Sequence, residues 1–124
     1  MDLHATREDL RSGRTTAVQC LDAAIAAAQA PANAHTFVRT CFDSARLEAA
    51  AARPAQPLAG LAFSVKDLFD VQGQPTAAGS RVLSHAPPAG RDATAVARLR
   101  AAGGVLVGRT NMTEVAFSGV GVNP

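Results

Sequence analysis

The chain of 124 residues has the length of one ordinary domain, long enough to bury a core. Hydrophobic residues make up 48% and charged residues 18%, a globular composition that excludes a disordered one. The formal net charge of +2 is carried by scattered arginines, and with five Phe and no Trp or Tyr there is little to stack on bases, so no nucleic-acid partner is expected.

The opening MDLHATREDLRSG is too polar for a signal peptide, and no apolar run approaches the roughly 20 residues of a membrane span. A cytoplasmic protein without a membrane partner is the expectation. The spacing predicts a short helix over Ala5–Arg11 that stops at Ser12-Gly13. Thr15 or Thr16 then caps a second helix running to about Ala30, where Ala30-Pro31 ends it; its Val18, Leu21, Ile25 and Ala28 share one face. Thr36–Cys41 (TFVRTC) is β-prone and leads into an alanine-rich helix from about Asp43 to Ala52, closed by Arg53-Pro54. Cys20 and Cys41 show no CxxC spacing and read as structural thiols.

Beyond the linker ARPAQP lies Leu58–Val71, which includes a strand, then a Gly/Pro/Ser-rich loop from Gln72 to Gly90. Asp92 is placed to cap a helix over Ala93–Ala102, with Val96 and Leu99 facing inward and Gly103 marking its end. Val105–Val107 reads as a buried strand, and Thr110 or Asn111 opens another short helix through Phe117. Strand, loop, helix, strand, helix is an α/β unit with a parallel pair of strands. The tail SGVGVNP is a glycine-rich loop with no element after it, which reads as the N-terminal portion of something longer.

Few motifs carry chemistry. GGVLVGRT at Gly103–Thr110 matches the phosphate-loop pattern apart from Arg109, but that pattern needs a loop where this sequence has the strand residues Val-Leu-Val. The histidines His4, His35 and His85 lie far apart in surface-like contexts, so no metal site and no cofactor are expected. There is no GxSxG elbow.

Lys66 stands out. It is the only lysine among twelve Lys+Arg residues, and it interrupts the apolar run AFSVKDLFDV. Arginine effectively never deprotonates in a protein, whereas a desolvated lysine can. Strand alternation puts Lys66 with Ser64 on one face, and Val65 with Asp67 on the other. Two readings stay open. Lys66 either reaches solvent at the strand end, or pairs with Asp67 or Asp70; or it is a buried general base that activates a serine. Ser64 shares its face, yet a strand-embedded serine has little room to reach a substrate.

PLAGLAFSVKDLFDVQGQPTAAGS followed by GRDATAVARLRAAGGVLVGRTNMTEVAFSGVGVNP strongly resembles the amidase signature family, the Ser-cisSer-Lys amidohydrolases, densely over Leu58–Pro124 and loosely before it. VKDLFDV, TAAGS, AGGVLVGRTNM and GVNP in that order make the likeness specific. The resemblance implies an α/β fold, a mixed β-sheet core flanked by helices, of which residues 1–53 are leading helices and 58–124 the start of a core that continues past this chain. It implies that Lys66 is the triad lysine, holding a serine in a cis peptide that relays the proton of the nucleophilic serine. By the same resemblance the segment after TNM lines the acyl pocket, with Ala116 and Ser118 as wall positions.

One departure follows. The family's nucleophile and cis-serine sit in a Gly/Ser-rich stretch with the oxyanion donors, and no GGSSGG-like run exists here; Ser80 and Ser118 do not match it. The expected function is amide-bond hydrolysis of a small carboxamide, incomplete in these residues. The alternatives are an amidase subunit of a glutamine-dependent tRNA amidotransferase, and a non-catalytic truncated product. A homodimer of the full-length enzyme stays open.

Overall fold

The computed structural model describes residues 2–117. Helix α1 spans Leu3–Ser12, capped by the Asp2 carboxylate, and stops at Gly13 in the left-handed conformation. Helix α2 (Ala17–Gln29) opens on a capping box in which Thr16 and Gln19 satisfy each other's backbone N–H groups. Strand β1 is Phe37–Thr40, helix α3 Phe42–Ala51 and strand β2 Ala62–Lys66. A 3₁₀ turn at Val82–His85 interrupts the long loop before helix α4 (Thr94–Ala101), and strand β3 is Val105–Thr110.

The three strands form one mixed sheet in the order β1-β3-β2, with β3 antiparallel to β1 and parallel to β2. Because side chains alternate, β3 feeds both faces. Val105 and Val107 join Leu21 and Ile25 of α2 and Ala45 and Ala49 of α3 in one cluster. Leu106 packs with Val65, Val71, Cys41 and Val96 of α4 in another. Burying a side chain such as Leu21 or Leu106 fully contributes about 1.5–3 kcal/mol. The ladders slip in register on either side of Gly108, that with β2 between Phe63 and Ser64 and that with β1 between Phe37 and Arg39. A Cβ on Gly108 would lie 2.6 Å from the Arg39 carbonyl oxygen and 2.8 Å from the Phe37 ring, so only glycine lets β1 cross so closely.

Four expectations are corrected. Val18 is exposed; Ala17 takes its place beside Leu21 and Ile25, one residue round the helix. Leu99 lies at the solvent side of α4, where Val96 is the buried residue. Asp92 does not cap α4: Ala93 holds the cap position without a side-chain bond, and Asp92 accepts the Gln72 N–H at 2.8 Å instead. The last helix is only a 3₁₀ turn at Glu114–Ala116, because Val115 and Ala116 take φ of 53° and 57°, which a right-handed helix cannot contain. The parallel strand pair and the rejection of a phosphate loop both stand, since 105–110 is strand and its residues through Arg109 are buried.

Candidate active site

The carboxyl ends of β2 and β3 lie side by side, with Lys66 opposite Thr110. In open α/β sheets that edge is where ligands settle. Past the strand ends the chain turns at once: the Lys66 carbonyl accepts the Phe69 N–H at 3.1 Å. The alternation read from sequence holds, for Ser64 and Lys66 are exposed while Val65 and Asp67 are buried. Lys66 thus projects from the open face of the strand end, exposed rather than buried as the general-base reading expects, and with no ion pair among the described residues.

Neither acid that sequence offered as a partner holds it. Asp70 Oδ1 accepts the Thr76 hydroxyl at 2.6 Å. Asp67, 3% exposed, accepts Arg109 Nε–H at 2.7 Å, and Arg109 is 1% exposed. Asp67 is also the knot of the local backbone. Its N–H donates to the Thr110 carbonyl at 3.1 Å, its carbonyl accepts the Ala78 N–H at 2.9 Å, and its Oδ2 accepts the Gly79 N–H at 3.2 Å. The Ala78 carbonyl in turn accepts the Val115 N–H at 2.8 Å.

Asp67 therefore joins β2, β3 and the Ala78–Ser80 turn, and through Ala78 that turn holds the 114–116 turn. The turn itself is held under strain: Ala78 has φ 52°, and Gly79 at φ 69° has the Met112 carbonyl oxygen 2.7 Å from where a Cβ would stand. Among the described residues Arg109 bonds through Nε alone, and its buried Nη1 and Nη2 have no hydrogen bond.

A pocket of about 330 Å³ opens beside this knot, lined by Asp67, Gly79, Ser80, Arg81, Asn111 and Arg39 among others. A larger hollow of about 560 Å³ beside Asp70, Thr76 and Pro87 includes neither Lys66 nor any residue of β3. Ala116 is exposed in its 3₁₀ turn, and Ser118 lies outside the described residues. His4, His35 and His85 are all exposed. The Asp67–Arg109 pair escapes sequence reading. Its one signal is that Arg109, like Lys66, is a cation inside an apolar strand run.

The family model for Amidase matches residues 19–124, and the chain belongs to that family. It is 42% identical over 118 residues to AtzE of the 1-carboxybiuret hydrolase from Pseudomonas sp. (strain ADP), covering 89% of this chain and 26% of that protein. It is 39% identical over 116 residues to a glutamyl-tRNA(Gln) amidotransferase subunit of Lacticaseibacillus paracasei, covering 89% of this chain and 24% of that one. A solved amidase superposes with a TM-score of 0.84 at 37% identity, over 100% of this chain and 30% of the other. The 6-aminohexanoate cyclic dimer hydrolase does so with a TM-score of 0.82 at 34% identity, over 93% and 24%. The chain spans about a quarter of the length of the curated relatives it matches. Among the described residues no helix is long and apolar enough to cross a membrane.

Proposed function

We propose that these residues are the amino-terminal part of an amide-bond hydrolase in which Lys66 is the general base. The serine nucleophile and the second serine are assigned to sequence following Pro124. The observation that carries this is the place of Lys66. It is the only lysine of the chain, and it projects from the open face of a parallel strand's carboxyl end with no ion pair among the described residues. In the reaction the nucleophilic serine Oγ attacks the carboxamide carbon, and its proton passes through the second serine to the lysine amine. Collapse of the tetrahedral adduct breaks the C–N bond, and the proton leaves with the departing amine. Water then attacks the acyl-serine by the same route and releases the carboxylic acid.

The partner is a small carboxamide, the enzyme is cytoplasmic and works without a cofactor, and Ala116 and Ser118 belong to the wall of its acyl pocket. The amidotransferase relatives support a second reading, in which the first half-reaction is the same but ammonia is drawn from glutamine for transfer to an acylated tRNA. Glutaminase activity that rises with charged tRNA distinguishes it.

Lys66→Arg in the complete enzyme tests the assignment. The guanidinium keeps the charge but cannot accept a proton. Turnover is expected to fall by at least about 10²-fold, nearly as far as in Lys66→Ala. Activity near the parent value in Lys66→Arg overturns the general-base role.

A further inference from the structure

The buried ion pair beneath the lysine is costlier than stability alone requires. An ion pair removed from water gives back its desolvation cost only when its remaining donors are satisfied, and an apolar replacement is often as stable. Among the described residues Arg109 leaves two nitrogens buried and unbonded. The turn that the pair grips carries a second cost, an alanine at φ 52° bonded to a valine at φ 53°. Both costs meet at Asp67, the residue that follows Lys66.

We propose that Asp67 and Arg109 are positioning residues for Lys66, a role that rests on the assignment of Lys66 as base. The pair acts in two ways. It bolts the end of β2 to β3 and to the Ala78–Ser80 turn through the bonds that Asp67 makes to Arg109, Thr110, Ala78 and Gly79, so the lysine swings from a fixed Cα. It also holds on the far face of the strand the carboxylate adjacent to the lysine, which would otherwise compete for the amine as a salt-bridge partner. An amine held as an ion-paired ammonium cannot take a proton from a serine.

The experiment is a comparison in the complete enzyme of the parent, Asp67→Asn, the double variant Asp67→Asn/Arg109→Met, and Lys66→Ala. Asn keeps an oxygen for the Gly79 N–H, and Met fills the arginine's place without a charge. The double variant is expected to melt at or above the parent temperature, yet to lose roughly tenfold to a hundredfold in kcat, the scale on which a slightly misplaced catalytic group acts, with KM nearly unchanged. A contact that serves stability alone would move the melting temperature and leave kcat in place. Should the double variant not fold, Asp67→Asn is read by the same kcat-against-KM split. A parent-like kcat in whichever of the two is folded overturns the positioning role. Lys66→Ala separates the two claims: if it retains full activity, the base assignment fails whatever the pair does, and if it is inactive while kcat survives in the pair variants, the positioning role alone fails.

Discussion

Lys66 and Arg109 both interrupt apolar strand sequence, and register places them one step apart across the β2–β3 ladder, Lys66 facing Thr110 and Arg109 facing Val65. That single step sends one cation to the open face and the other inward. Alternation made the first half of this legible, since it needs only the period of a strand. The partner of Arg109 was not legible, because Asp67 lies 42 residues away and nothing local links them. Arg109→Met alone would strand the Asp67 carboxylate in the interior, and a loss of about 3–5 kcal/mol is expected in a denaturant titration. Gly79→Ala would force an alanine to φ 69° with its Cβ 2.7 Å from the Met112 carbonyl oxygen. Its cost exceeds the ~1 kcal/mol of an ordinary Gly/Ala exchange, and the denaturation midpoint measures it.

At the scale of elements, local signals were read well and bridging ones were not. The Thr16–Gln19 capping box is written within four residues of sequence, and α2 begins where it says. Asp92 carries the same kind of signal before α4, yet its carboxylate serves Gln72, 20 residues back, and lies 3.4 Å from Arg100 Nε. Arg100 in turn reaches Glu48 of α3 at 3.2 Å. Glu48 has a second task. The Val105 N–H points to the β2 side, donating to Leu61, so that of Leu106 points past the end of β1, where Glu48 Oε2 accepts it at 3.2 Å. Glu48→Ala leaves that N–H without a partner and is expected to cost about 1–3 kcal/mol. Glu48→Gln keeps an acceptor and should recover most of the loss, as thermal melts of the two variants will show.

Across the molecule, the sheet is covered unevenly. Helices α2 and α3 lie on one face and α4 on the other, but Ser64 and Lys66 stay open at the end of β2, and Leu68, Phe69, Val115 and Phe117, the last 92% exposed, are left in solvent nearby. Composition foretold a globular core and the family resemblance foretold a mixed sheet, whereas which face stays open depends on pairings that only three dimensions define. The 124-residue chain produced alone is expected to bind an apolar dye and to associate, which light scattering would detect. It is also expected to hydrolyse no amide, having no serine matched to the nucleophile. Turnover by the isolated chain that disappears in Lys66→Ala would place the nucleophile within these residues.

The strand order β1-β3-β2 also sets a clock. Among the described residues the two earlier strands do not pair with each other; each pairs with β3, the latest of the three in the chain. A ribosome that has released everything up to Gly104 has therefore released helices α1 to α4 and two lone strands whose backbone groups are bonded only to water. Helices can flicker in such a nascent chain, but the sheet must wait, and its closure must span long stretches of chain at once. Stalled chains should accordingly stay open to protease at every length short of Thr110 and become resistant abruptly once that strand has emerged.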